Sequence, residues 1–229
     1  MSLPQTSSFF EGLDLDALAT KRRIGDALSG ADDGELFAEY RQQESLSFDN
    51  GRLKSATFDV DQGFGLRSVC GEAVGYAHSS ELSDAALARA VEAVSAVGKG
   101  YSGHYADAPL RTNQKLYGDD NPLSTPQYSE KLALLETVDA YARDSGSDIA
   151  QVSASLAASW QIVKILRADG HLVEDIRPML RFNVSVIARD GARRRRCHTP
   201  GPCQSDGRGC ARRGNGCCAG IRLARHFAA

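Results

Sequence analysis

The dipeptide Asn50-Gly51, set between two stretches of alternating apolar and polar residues, constrains the fold of this chain more than any other feature. Both residues tolerate the positive φ that a tight hairpin turn needs. Leu46 and Phe48 lie before it, and Leu53, Phe58 and Val60 follow, giving a two-residue period with one face dry and one wet. A second turn is expected at Asp61-Gln62-Gly63 and a third near Gly71-Glu72, carrying a meander through Phe64, Leu66, Val69, Val74 and Tyr76. Residues 39–83 therefore read as four short strands followed by the start of a helix.

Helices flank this meander. Asp14 is a cap for a first helix reaching Leu28, with Leu15, Leu18 and Leu28 on its apolar side and Gly30 as its stop. The meander then begins near Glu35. Ser83 caps a second helix, in which Leu87, Val91, Val94 and Val97 keep helical spacing before Gly98 and Gly100 end it. Residues 101–126 read as a surface loop that Tyr101, Tyr105 and Tyr117 pin down. Thr125 and Pro126 are expected as cap and first turn of a third helix with Tyr128, Leu132, Leu135, Val138 and Ala142 on one side.

From Ile149 the period returns to two, through Val152, Ala154 and Leu156 and then Val163 and Ile165, with a hairpin turn at Asp169-Gly170. A final strand sets Leu180, Phe182, Val184 and Val186 against Arg181, Asn183 and Ser185, and Pro178 marks its start or an edge position. The fold class is α+β: a largely antiparallel sheet with helices on one side, spanning residues 1–190. Residues 191–229 read as a disordered basic tail.

Charge splits at the same boundary. Residues 191–229 hold nine of the 27 Lys and Arg but one of the 29 Asp and Glu, a net of +8; the 18 basic and 28 acidic residues before them give −10. An acidic body does not suggest nucleic-acid binding. Cys70 is the one cysteine in the body, whereas Cys197, Cys203, Cys210, Cys217 and Cys218 lie in the tail. One half-buried cysteine fits a reducing cytoplasm. The start, MSLPQTSSFFEGL, lacks a basic region and a long apolar run, and no stretch reaches the eighteen apolar residues of a membrane span. A soluble cytoplasmic protein is expected.

None of the five histidines, His78, His104, His171, His198 and His226, is followed by Glu, so neither HExxH nor HExxxH occurs. In such motifs two imidazoles one helical turn apart bind one zinc while the Glu between them reaches the metal-bound water as general base. The nearest look-alike, His78-Ser79-Ser80-Glu81, offers one imidazole and one carboxylate at a strand end. No catalytic, cofactor-binding or metal-binding residue is assigned. GFG at 63–65 lacks the third glycine and following helix of a nucleotide-binding turn. Arg41, Glu44, Arg52, Lys54 and Arg67 read as solvated strand-face residues.

The phrases EYRQQESLSFDNGRLKSATFD, QGFGLRSV and GYAHSSELS, in this order, resemble the amino-terminal domain of the TldD/PmbA family of bacterial zinc metalloproteases, the TldD branch more closely. The likeness extends more loosely from about Asp14 to Asp190. It implies a paired enzyme, with a PmbA-like or TldD-like subunit as partner, acting on flexible or unfolded peptides. It also implies zinc held by an HExxxH motif and a cysteine in a carboxy-terminal half. Neither can be placed in this sequence, so the chain is expected to be inactive alone.

After Asp190-Gly191 no two- or 3.6-residue period survives in ARRRRCHTPGPCQSDGRGCARRGNGCCAGIRLARHFAA. Arg, Gly, Ala, Pro and Cys are what GC-rich codons yield in a shifted frame. The preferred reading is a frame slip near codon 191 that removes the catalytic half. A non-enzymatic interaction module is the alternative, with a tail that binds zinc or nucleic acid. The tail cysteines lack the CxxC knuckle of structural zinc sites, and Arg193–Arg196 lacks the interleaved aromatics of a nucleic-acid surface.

Overall fold

A computed structural model describes residues 18–104, 107, 116–190 and 193–198. The chain forms helix α1 (Leu18–Ala27), strands β1 (Asp33–Asp49), β2 (Arg52–Cys70) and β3 (Ala73–Ser79), helices α2 (Asp84–Ser95) and α3 (Tyr128–Asp144), and strands β4 (Ile149–Arg167), β5 (Leu172–Asp190) and β6 (Arg193–His198). The sheet order is β3-β2-β1-β4-β5-β6, and the fold is α+β. Two compact units are built on these strands. The first takes the chain to Gln42, then Asp59–Asn121 and Ser159–Pro178; the second takes Gln43–Phe58, Pro122–Ala158 and the chain from Met179.

In the first unit, α2 packs against β3 and α1 against α2. Ile24, Leu28, Leu36, Leu66, Leu87, Val94, Ile162 and Leu166 are buried there. Gly34 lets the chain after α1 approach the sheet: a Cβ on it would lie 2.8 Å from a Leu28 methyl. In the second unit, α3 lays Leu135 and Val138 onto Leu46, Phe48, Ala154 and Leu156. These sheet residues have even numbers, as a two-residue period demands of one face.

The expected turns at Asn50-Gly51, Gly71 and Gly170 form, with φ of 51° and 73°, 62° and 82°. The turn expected at residues 61–63 does not. β2 runs unbroken for 19 residues, so three strands stand where four were read. Gly63 serves close packing instead: a Cβ there would sit 2.8 Å from the Ser79 carbonyl oxygen. Phe58 and Val60, read as a dry face, are 57% and 48% exposed.

Ser83 caps α2 as expected, its hydroxyl accepting from the Ala86 amide at 3.1 Å. α3 starts two residues later than Thr125-Pro126 implies. Gln127 is its cap, with the Gln127 amide donating to Glu130 Oε2 at 2.7 Å. Tyr128 is exposed, and Lys131 and Asp139 are buried beside Leu135, replacing part of the expected apolar stripe. In β4 the even-numbered residues from Val152 to Leu166 are buried throughout and Val163 is buried in addition, so Leu166, not Ile165, faces inward. Residues 14–17 of the first expected helix lie outside the described residues.

β5 runs through Pro178, and β6 pairs only with Ser185–Asp190, so the proline falls on an edge stretch, where its missing N–H is tolerated. Leu180 and Phe182, on the expected apolar face of this strand, are exposed. The expected tail opens with an ordered strand: Arg193 lies opposite Asp190 and His198 opposite Ser185. Ladder pairing needs backbone groups alone, which explains why a run of four arginines gives no strand signal. Residues 199–229 lie outside the described residues.

Candidate functional site

The described histidines are scattered. His78 is on β3, its ring stacked on Tyr76 with centroids 5.7 Å apart. Glu81, its partner in the look-alike motif, belongs to the α2 cap: it accepts from the Ser83 hydroxyl at 2.6 Å and from Arg89 at 3.2 Å. The Ser83 hydroxyl and then Arg89 lower its carboxyl below the ordinary value. His104 and His171 are held by their backbone amides, to Asp32 at 3.3 Å and Asp169 at 2.8 Å. His198 lies on β6, and His226 lies outside the described residues.

Cys70 is buried as a free thiol, 3.8 Å from the Ser68 hydroxyl. Cys197 lies on β6, and Cys203, Cys210, Cys217 and Cys218 fall outside the described residues. Among the described residues no group of three or more His, Cys, Asp and Glu is placed to hold a metal ion. Zinc chemistry therefore has no fitting donor set in the described part, and no hydrolytic step is assigned to it.

The polar clusters that are present anchor backbone. In the first unit, Asp32 accepts from the Tyr101 hydroxyl at 2.6 Å and from the Gly71 amide at 2.7 Å. The Tyr101 bond and then the Gly71 bond hold its carboxyl below the ordinary range, while Asp32 raises the Tyr101 hydroxyl. Tyr101 thus ties the chain after α2 to the β2–β3 turn, as expected of a pinning aromatic. Tyr117 is exposed, and Tyr105 lies outside the described residues. Trp160 reaches the Asp119 carbonyl at 3.3 Å, and Asn121 donates to Gln42 at 3.0 Å.

The second unit holds such clusters too, the first around the β1–β2 turn. Arg143 donates to Asp139 at 2.8 Å and to Asn50 at 2.8 Å, while the Gly51 amide donates to Asp139 at 3.3 Å, so α3 grips the β1–β2 turn. Asp139 raises the Arg143 guanidinium. Asp49 accepts from Gln151 and Ser153, bonds that lower its carboxyl in that order.

Lys131, 1% exposed, is the second cluster's centre. Its ammonium donates to Glu44 and, at 2.9 Å, to the Leu123 carbonyl. Glu44 is thus an ion-pair partner of a buried cation, not the solvated residue its strand position suggests. Arg67 likewise pairs with Asp33 at 2.6 Å. Arg52 and Lys54 are exposed and Arg41 is half-buried.

No helix among the described residues is long and apolar enough to cross a membrane. What remains open for interaction is strand surface. The stretch Lys54–Gln62 of β2 is exposed on both faces, and β3 is an outer strand of the sheet. Exposed strand backbone is a template for another strand, a capacity that no residue motif announces.

Two successive domain descriptions match the chain: PmbA/TldA metallopeptidase domain 1 over residues 34–97, and the PmbA/TldA metallopeptidase central domain over residues 121–209. A metalloprotease TldD homolog of Haemophilus influenzae is 33% identical over 181 residues, which cover 77% of this chain and 36% of that protein. The corresponding homolog of Buchnera aphidicola subsp. Schizaphis graminum is 30% identical over 197 residues, 81% of this chain and 41% of that protein. Among solved structures, TldE from Thermococcus kodakarensis superposes with a TM-score of 0.56 at 16% identity, covering 75% of this chain and 39% of that one. A candidate modulator of DNA gyrase from Bacteroides thetaiotaomicron gives 0.60 at 12% identity, covering 80% and 44%. At these identities the superpositions speak to the fold alone. The chain spans about two-fifths of the length of the curated relatives it matches. It belongs to the PmbA/TldD metallopeptidase family.

Proposed function

We propose that this chain is the amino-terminal, substrate-cleft and pairing portion of a TldD-type metallopeptidase. In this reading it acts with a PmbA-like or TldD-like subunit, in the cytoplasm, on unfolded peptides. The observation that carries it is the succession of the family's first and central domains in a sequence without HExxxH. A chain with no such motif does not hydrolyse peptide bonds by that chemistry, so its contribution is to shape a cleft and hold a partner. Zinc belongs to the longer family proteins in this proposal. The domain proper ends near residue 190, and the Arg-, Gly- and Cys-rich text after it reflects a slipped reading frame. The central-domain match runs past that boundary, to residue 209.

The test incubates the purified chain with an unstructured peptide, with and without EDTA, alone and with a full-length PmbA-like protein. No cleavage by the chain alone, and its capture by that protein, are the expected results. Stoichiometric zinc together with chelator-sensitive cleavage by the chain alone overturns the proposal. Sequencing the gene across codon 191 tests the frame directly. An intact frame with no HExxxH-coding stretch in another frame downstream refutes the slip. A second reading, a non-enzymatic interaction module, draws on the double exposure of Lys54–Gln62. It gains if the chain captures other proteins but never a family member.

A further inference from the structure

Natural sheets protect free edges with charge, proline or bulges, because an unguarded edge pairs with another chain. Other strand stretches with a neighbour on one side only among the described residues follow that rule. β2 carries Lys54 and Asp59; β5 carries Arg177, Pro178 and Arg181; β6 carries four arginines. The outer edge of β3 does not. Ala73-Val74-Gly75-Tyr76-Ala77-His78-Ser79 has no carboxylate, ammonium, guanidinium or proline, and its ladder with β2 runs from Cys70–Ala73 to Phe64–Ser79 without a bulge. Among the described residues nothing pairs with its other side. One face of this strand is also uncovered: Val74 is 60% and Tyr76 63% exposed, and His78 stacks on Tyr76.

We propose that β3 is a self-association edge on which β3 of a second copy of this chain docks antiparallel, about a twofold axis through Gly75. The sequence is self-complementary about that residue. Val74 falls opposite Tyr76 of the second copy, a β-branched and aromatic pair of the kind that stabilises cross-strand contacts. Ala73 falls opposite Ala77. Glu72 lies in the β2–β3 turn and stays outside the ladder, so no carboxylate, ammonium or guanidinium faces another across the axis. Gly75, kept as glycine because the end of α2 and the chain just after it lie against it, with Val97 2.9 Å from where a Cβ would be, puts no side chain on the axis. An isologous interface of this kind closes on itself and stops at two copies. The inference rests on the β3 edge alone and stands independently of the peptidase reading.

The full chain, kept reduced so that its cysteines do not cross-link, is followed by sedimentation velocity over a range of concentrations. The wild type forms a dimer, and β3 amides exchange hydrogen more slowly as concentration rises. Val74→Lys and Tyr76→Lys each enter the interface twice and weaken the dimer roughly tenfold or more. Val74→Glu and Tyr76→Lys, both at exposed positions, weaken it singly and restore it together, because each new carboxylate then faces an ammonium of the second copy. Leu180→Lys, on exposed β5, leaves it unchanged. A wild type that stays monomeric at its highest soluble concentration overturns the proposal. A dimer lost in Leu180→Lys but kept in the β3 variants, or charge swaps that fail to rescue, overturns it too.

Discussion

Replacing Lys131 with Met isolates what the buried ion pair contributes. Methionine fills most of the lysine stem, so the change removes the ammonium and little else. The Leu123 carbonyl then loses a charge-assisted bond now 2.9 Å long, worth about 1.5–3 kcal/mol. Glu44 keeps its charge with only 13% of its side chain accessible and no partner cation. Breaking one side of a buried pair costs about 3–5 kcal/mol, and the partial access of Glu44 to water points to the lower end. A loss of about 3 kcal/mol is a large share of the roughly 5–15 kcal/mol that stabilises a folded domain. Urea unfolding followed by circular dichroism measures it as a lower midpoint. The double variant Lys131→Met/Glu44→Leu removes both charges and is expected to be more stable than Lys131→Met alone, a non-additivity that coupling within one pair requires. A single-variant cost below about 1 kcal/mol, or a double variant no better than the single, would refute the reasoning.

Asp32→Asn tests the anchor at Tyr101. The folded carboxyl lies below its ordinary value of 3.8, so its stabilisation is whole above that pH and lost as pH falls through the folded value. The wild-type urea midpoint therefore falls more between pH 6 and pH 3 than that of the variant; equal falls count against the anchor. Gly63→Ala places a Cβ 2.8 Å from the Ser79 carbonyl oxygen and is expected to cost about 1–3 kcal/mol, measured by the same unfolding assay. Gly51→Ala, at φ 73°, costs about 1 kcal/mol through backbone strain. Free tolerance of alanine at Gly63 would mean that the strands do not approach so closely.

Local chemistry made much of this fold legible. Asn50-Gly51, Gly71 and Gly170 declare their turns, and Ser83 declares a cap, because each signal is complete within a few residues. Gly63 misleads, since a glycine that turns a chain and one that admits a neighbouring backbone look alike in sequence. Lys131 was invisible for a different reason: its partner Glu44 is 87 residues away, and a lysine on a helix is ordinarily solvated. Phe58, Val60, Leu180 and Phe182 show the limit of periodicity, which says that a face is apolar without saying what covers it. For the site, the missing HExxxH was readable at once, as were the phrases that carry the family likeness. The unguarded edge of β3 emerged only when the sheet order showed which strand stands last.

The strands of 17 to 19 residues have a topological consequence. Each compact unit is stitched from three separated lengths of chain, so neither can be excised as one continuous fragment. A single cut between α2 and α3 instead leaves β1 and β4, neighbours in the sheet, on different pieces. The two halves should hold each other through that shared seam, as a split protein reassembles from its parts.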